Sequence, residues 1–167
     1  MTVMLRPHIW MRPGKDALGN DVWLDDIDFD DPADAAKFGE RYREYILHQA
    51  RLAERAEIAW LSIGAETLEL TTQHPDYWRG LIRDVRQVYS GKLIYSANWY
   101  REAEEIAFWP ELDAIGVQAY YPLIAEPNPS VDDLVSAWQP HLDRLEALSR
   151  RVDRPVIFTE IGFKSTN

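Results

Sequence analysis

Cysteine is absent from the 167 residues, which excludes disulfides, cysteine-ligated zinc and thiol nucleophiles. Positive charge is scarce, because 18 Lys and Arg stand against 28 Asp and Glu, and the formal net charge is −10. Nucleic acids and anionic membranes favour basic surfaces, so we expect neither as a partner. The charge balance fits a protein that acts on a neutral ligand.

Long apolar runs are also missing, and no stretch approaches the length of a transmembrane helix. The first seven residues do not combine a charged segment with a long apolar one, so they do not resemble a signal peptide. The sequence therefore leaves the compartment open, and the oligomeric state as well.

Several motifs that define common enzyme classes do not occur. No strand is followed by Gly-x-Gly-x-x-Gly or a P-loop, and no Gly-x-Ser-x-Gly marks a serine nucleophile. His8, His48, His74 and His141 show no paired spacing typical of metal ligands. We therefore expect no cofactor and no bound metal.

Strand and helix patterns alternate along the chain. Short apolar runs predict five strands, at residues 2–9, 58–63, 93–97, 114–119 and 155–162. Apolar residues at helical spacing lie between them, and the last helix contains Pro140, which we expect to kink or divide it. This alternation predicts an α/β chain with a parallel sheet, either an open doubly wound sheet or a β/α barrel.

Polar and aromatic residues follow the predicted strands. In both architectures ligands bind at the carboxyl ends of parallel strands. The residues at those ends are His8, Glu66, Asn98, Trp99, Tyr120, Tyr121 and Glu160.

Two of these residues are carboxylates, Glu66 and Glu160. A carboxylate at the end of a buried strand is costly unless a partner or a chemical function accompanies it. Paired carboxylates among Trp and Tyr suit glycoside hydrolysis, in which one carboxyl protonates the leaving oxygen and the other attacks the anomeric carbon or activates water. Aromatic rings can pack against the C–H faces of a sugar.

Four segments carry a resemblance to a known family. They are residues 62–66 (SIGAE), 95–99 (YSANW), 108–123 (FWPELDAIGVQAYYPL) and 155–162 (PVIFTEIG). Together, and in this order, they resemble glycoside hydrolase family 113, which contains retaining β-mannanases built on a TIM barrel. The similarity covers essentially the whole chain, 1–167, as one partial catalytic domain.

The resemblance implies a role for each strand-end residue. It implies that Glu66 is the general acid/base and Glu160 the nucleophile, with cleavage of β-1,4-mannosidic bonds. His8, Asn98, Trp99, Tyr120 and Tyr121 would face the sugar, and Tyr120 or Tyr121 would hydrogen-bond the nucleophile. Ala65 departs from the family, which usually has Thr there, so a possible bond to the substrate 2-hydroxyl is missing.

The length implies an incomplete barrel. A (β/α)8 domain of this type has roughly 250 residues, so the resemblance assigns this chain barrel strands 3 to 7 only. Two alternatives remain open at this point. One is another β-glycosidase, such as a glucanase or galactosidase, and the other is a non-catalytic carbohydrate-binding barrel fragment.

Overall fold

A parallel sheet forms the centre of the molecule in the computed structural model, which describes residues 2–11, 14–15 and 18–162. Within these residues five strands lie in the order β1-β2-β3-β4-β5, and each pairs with its neighbour in parallel. Their bounds are β1 Met4–Leu5, β2 Trp60–Ala65, β3 Lys92–Asn98, β4 Ala114–Ala119 and β5 Val156–Ile161. Since each strand follows the last in both sequence and space, every carboxyl end lies on the same side.

Helices connect the strands on the outer face of the sheet. Their bounds are α1 Pro32–Arg55, α2 Leu68–Gln73, α3 Pro75–Arg86, α4 Glu102–Glu105 and α5 Val131–Val152, with 3-10 turns at Leu24–Asp26 and Trp109–Glu111. Asp31 caps α1 by accepting a 2.8 Å bond from the Ala33 amide, and Pro32 supplies the fixed φ that suits the first turn.

Helix α5 corrects one expectation. Ser130 caps it through a reciprocal arrangement with Asp133, and it then runs as one helix with Pro140 inside. Of the two outcomes expected for Pro140, a kink or a division into two segments, the division does not occur. Ser136 and Pro140 are both exposed, so water can bond the Ser136 carbonyl that lacks its usual helical partner.

The core lies between the sheet and helices α1 and α3. Ile46 of α1 and Val85 of α3 are fully buried, as are Leu61 and Ile63 of β2. A cluster of aromatic rings continues this core, with Trp78 stacked on Phe108 at 5.6 Å and edge-on to Tyr95 at 5.3 Å. These contacts hold β2 and β3 firmly against the outer helices.

The sheet is strongly curled. Strands β1 and β5 are its two edges, yet the Arg6 guanidinium, just beyond β1, contacts the Glu160 carboxylate in β5. The strands thus form a curled half-barrel, and the predicted incomplete (β/α)8 architecture is confirmed. On the open side, Phe158 and Ile161 of β5 remain exposed.

Among the described residues, none of the helices combines the length and the apolar character needed to span a bilayer. The predicted strand positions agree closely for β3 and β4, whereas α2 was not predicted. Helix α2 is only six residues long, which is too short to show a helical period.

Candidate active site

The carboxyl ends of four neighbouring strands converge at one edge of the half-barrel. Ala65 pairs with Ser96, so Glu66 lies just beyond the end of β2 beside β3. Asn98 pairs with Gln118, and Gln118 pairs in turn with Glu160. The fold therefore brings both predicted carboxylates to the same edge, although 93 residues separate them in the chain.

Two side chains donate hydrogen bonds to Glu160. The Tyr120 hydroxyl donates to Oε2 at 2.5 Å, and the Arg6 guanidinium donates to Oε1 while forming an ion pair. Both donors favour the ionised carboxylate over the protonated acid. Of the two tyrosines expected to hydrogen-bond Glu160, Tyr120 is the one whose hydroxyl contacts it.

Glu66 lies in a different environment. Burial raises the pKa of this carboxyl, and the nearby charge of Asp25 raises it further, whereas Arg6 and the Gln118 amide partly oppose the rise. A raised pKa extends the range of pH over which the Glu66 carboxyl holds its proton. Arg6 therefore influences both carboxylates, since it also pairs with Glu160.

Gln118 and Arg6 were missed by sequence reasoning. Gln118 is buried in β4, and its backbone pairs with Glu160. Its side-chain amide lowers the pKa of Glu66, although Nε2 has no hydrogen-bond partner at bonding distance among the described residues. Gln118 resembled an ordinary polar residue within an apolar strand. Arg6 lies two residues before His8, the residue predicted to face the site at the end of the first strand, and Arg6 itself was not predicted as a site residue.

His8 lies at the predicted strand end, where its ring packs 5.2 Å from the ring of Trp10. Burial and the Arg6 charge lower the pKa of His8, which keeps the imidazole neutral. Its buried Nδ1 has no hydrogen-bond partner among the described residues. Trp10, which was not predicted, is 87% exposed and presents its indole beside this end of the sheet.

Of the residues expected to face a sugar, Asn98 and Tyr121 are buried and Trp99 is partly buried. Asn98 is buried, and its backbone amide donates to Glu102 at 2.7 Å. Tyr121 is 5% exposed and packs against Trp99, Trp138 of α5 and His141. In contrast, Tyr120 is 47% exposed and open to a ligand.

The acidic loop before α1 also reaches this region. Asp25 of this loop is half-buried and accepts a hydrogen bond from the Tyr100 hydroxyl. Parts of the preceding loop, residues 12–13 and 16–17, lie outside the described residues. Asp25 contributes negative charge close to Glu66, which is one cause of the raised pKa of that carboxyl.

Taken together, the edge carries two carboxylates in contrasting settings. Glu160 receives two donors that favour its charged form, and burial favours the protonated form of Glu66. A pair of carboxyl groups with separated proton affinities can supply both a nucleophile and an acid.

Comparison with known protein families gives one match that spans the chain. The model of Glycoside Hydrolase Family 113 matches residues 1–167. No curated protein sequence gives a significant match.

Solved structures with the same fold include several glycosidases. A GH113 β-1,4-mannanase shares 28% identity at a TM-score of 0.75, over 95% of this chain and 46% of its own. The GH113 β-mannanase AaManA from Alicyclobacillus acidocaldarius shares 24% identity at a TM-score of 0.71, over 85% of this chain and 42% of its own. A β-glucuronidase from Ruminococcus gnavus shares 16% identity and shows the fold alone, at a TM-score of 0.59 over 78% of this chain and 23% of its own. This chain thus spans less than half the length of these mannanases.

Proposed function

Since this chain belongs to Glycoside Hydrolase Family 113, we propose that it carries the two catalytic carboxylates of a retaining β-mannanase. Glu160 is the nucleophile and Glu66 the general acid and then the base. The substrate is a β-1,4-linked mannan or manno-oligosaccharide. The two carboxyl groups are expected to lie about 5–5.5 Å apart, as a double displacement requires.

In the first step Glu160 attacks the anomeric carbon. A bond forms between a Glu160 carboxylate oxygen and C1, and the glycosidic C1–O bond breaks. Glu66 gives its proton to the departing oxygen, so the leaving sugar departs as a neutral alcohol. Tyr120 and Arg6 orient Glu160 and favour its ionised form before the attack.

In the second step the now ionised Glu66 takes a proton from water. The hydroxide so generated attacks C1, the ester bond to Glu160 breaks, and the sugar leaves with its original anomeric configuration. Glu66 returns to the protonated form and Glu160 to the carboxylate, so both groups are ready for another cycle.

The observation that carries this proposal is the contrast between the two carboxylates at one edge of the sheet. Glu160 accepts from a hydroxyl and a guanidinium, whereas burial raises the pKa of Glu66. The mannan substrate is supported by the solved β-1,4-mannanase with 28% identity.

The proposal is tested by trapping the glycosyl-enzyme ester. A 2-deoxy-2-fluoro-β-mannosyl fluoride would be incubated with this chain, followed by mass spectrometry of the peptides. Fluoride leaves without protonation, so labelling requires the nucleophile but not the acid. We expect the added sugar on Glu160 of the parent and of the Glu66→Gln variant, and none on Glu160→Gln.

The same experiment tests which sugar the site prefers. The matching glucosyl and galactosyl fluorides would be run in parallel, and we expect the mannosyl reagent to label fastest. Faster labelling by either of the others would assign a different β-glycosidase. Binding of manno-oligosaccharides without any ester on Glu160 would identify a non-catalytic carbohydrate-binding fragment. That result would overturn the proposal that this chain is a glycoside hydrolase.

A further inference from the structure

A buried carboxylate that takes no part in these steps lies behind the edge of the sheet. Glu102, the first residue of α4, is 0% exposed, whereas Glu104 and Glu105 of the same helix are exposed. Enclosing a carboxylate is costly unless donors surround it. The carboxylate of Glu102 accepts from the Tyr95 hydroxyl at 2.6 Å, the Thr71 hydroxyl at 2.9 Å and the Asn98 amide at 2.7 Å.

Tyr95 continues this network to the end of β2. While its hydroxyl donates to Glu102, its oxygen accepts the backbone amide of Thr67 at 2.8 Å. The Thr67 hydroxyl lies 3.0 Å from the same oxygen. Thr67 directly follows Glu66, so the network ends one residue from the proposed acid/base.

The backbone at Glu66 needs such support. Its φ is +50°, in the left-handed region that residues with a Cβ seldom adopt. The Glu66 amide bonds the Ser96 carbonyl of β3 at 3.0 Å, and the Thr67 amide bonds Tyr95. Strained backbone persists where surrounding bonds determine it from both sides.

We propose that Glu102 is a positioning residue for Glu66, holding its left-handed backbone through Tyr95 and Thr67 and fixing the end of β3 through the Asn98 amide. The catalytic meaning of this role rests on the proposed function, whereas the network itself does not. The carboxylate is suited to it because all three of its partners are donors. In a Gln at this position, an NH2 group replaces one carboxylate oxygen and faces a donor of the surrounding protein. At least one of the three hydrogen bonds to this side chain would then be lost.

The two carboxylates also interact electrostatically. The charge of Glu66 is one of the causes that raise the pKa of Glu102, so the two carboxyl groups interact at this edge of the sheet. Removing the Glu66 charge in Glu66→Gln should therefore lower the pKa of Glu102. A Glu102 that merely fills the core, without connection to Glu66, would keep its pKa in this variant.

The test uses amide hydrogen exchange and carboxyl ¹³C NMR titration of this chain. In Glu102→Gln we expect the amides of Thr67 and Asn98 to exchange at least about tenfold faster relative to Val117 of β4, as for the loss of a buried hydrogen bond. Normalising to Val117 removes any general loss of stability. In Glu66→Gln we also expect the Glu102 carboxyl to titrate at lower pH than in the parent.

Glu105→Gln is the matched control, because it removes one carboxylate from the same short helix at an exposed position. We expect it to leave both measurements unchanged. Tyr95→Phe removes the hydroxyl alone, and in this variant Thr67 should exchange faster while Asn98, whose bond to Glu102 remains, should not. If Glu102→Gln does not fold, the exchange of the Thr67 amide in Tyr95→Phe tests the proposal instead.

The proposal is overturned if the relative exchange of Thr67 in Glu102→Gln, or in Tyr95→Phe, equals that of the parent. It is also overturned if the Glu102 carboxyl titrates alike in Glu66→Gln and Glu105→Gln. Neither measurement needs substrate, so a chain that fails to form the fluorosugar ester on Glu160 can still pass this test. Conversely, labelling of Glu160 does not depend on its outcome.

Discussion

The guanidinium of Arg6 donates a hydrogen bond to Oε1 of Glu160, although the two residues belong to opposite edges of the sheet. One side chain can span the edges because the sheet curls around the site. Arg6 thereby places a positive charge where it pairs with Glu160 and also offsets part of the rise that burial and Asp25 cause in the pKa of Glu66. Arg6 therefore contributes to the electrostatics of both carboxylates.

Arg6→Gln should therefore affect both carboxylates. We expect the pKa of Glu66 to rise further, because a charge that favours its ionised form is gone. Labelling of Glu160 by the mannosyl fluoride should slow by about tenfold, since the variant loses a charged donor. Carboxyl NMR titration and mass spectrometry measure the two effects. Arg41→Gln on the exposed face of α1 is the control, and an equal effect there would contradict the prediction.

Tyr120→Phe should reduce nucleophilic attack without unfolding the chain. The variant loses the 2.5 Å bond to Glu160 from a side chain that is already 47% exposed, so little packing is lost. We expect the rate of ester formation to fall by about tenfold, a typical cost for one charge-assisted bond. Tyr45→Phe on α1 provides the comparison. Unchanged labelling in Tyr120→Phe would show that Arg6 suffices to orient Glu160.

Stability should decrease as pH rises, because of Glu102. Burial raises the pKa of Glu102 from 4.5 to about 7. The folded state then holds the proton more tightly than the unfolded state, so this contribution is fully present below the unfolded pKa. It is lost as pH rises through the folded pKa. The loss amounts to at most about 3 kcal/mol by the standard conversion of a pKa shift.

Urea unfolding at pH 4, 5, 6 and 8 measures this dependence. Glu102→Gln has no proton to lose, so its free energy of unfolding should vary less with pH than that of the parent. Glu66, whose pKa is also raised, acts in the same direction in both proteins. The same pH dependence in the parent and the variant would contradict the prediction.

Gly64→Ala should destabilise the strand that leads to Glu66. A Cβ there would lie 2.7 Å from the Tyr42 hydroxyl oxygen, 2.9 Å from a Tyr95 ring carbon and 3.0 Å from Trp78. These rings are buried and cannot move aside, so we expect a loss of about 1–3 kcal/mol in the free energy of unfolding.

Gly80→Ala in α3 is the matched comparison for this substitution. A Cβ there meets only the end of the Arg83 side chain at 3.8 Å. Alanine favours a helix, so this variant should be more stable by up to about 1 kcal/mol. Urea unfolding compares the two variants, and equal effects would show that the rings around Gly64 have room to adjust.

Much of the fold was predictable because its signals are local. Strands β3 and β4 are apolar runs bounded by polar residues, and α1 and α5 carry apolar stripes with capping residues at their starts. Glu66 and Glu160 were identified in the same way, since Glu66 follows the buried strand β2 and Glu160 lies next to the last residue of the apolar strand β5. Helix α2 was not predicted because six residues are too few to establish a period.

Residues that act over long distances in the chain could not be predicted in this way. Arg6 and Glu160 are 154 positions apart, and their contact exists only because the sheet curls. Glu102 could not be told from Glu104 and Glu105, because three acids in one short helix look alike until packing buries one of them.

The sequence by itself determined the order of strands and helices, the family resemblance and the two carboxylates at strand ends. Periodicity and strand-end chemistry are properties of neighbouring residues, so they can be recognised without coordinates. Only the tertiary structure decided which side chains surround each carboxylate: Tyr120 and Arg6 at Glu160, and a buried setting at Glu66. Burial and donor contacts arise when distant segments pack together, and it is they that set the proton affinity of each group.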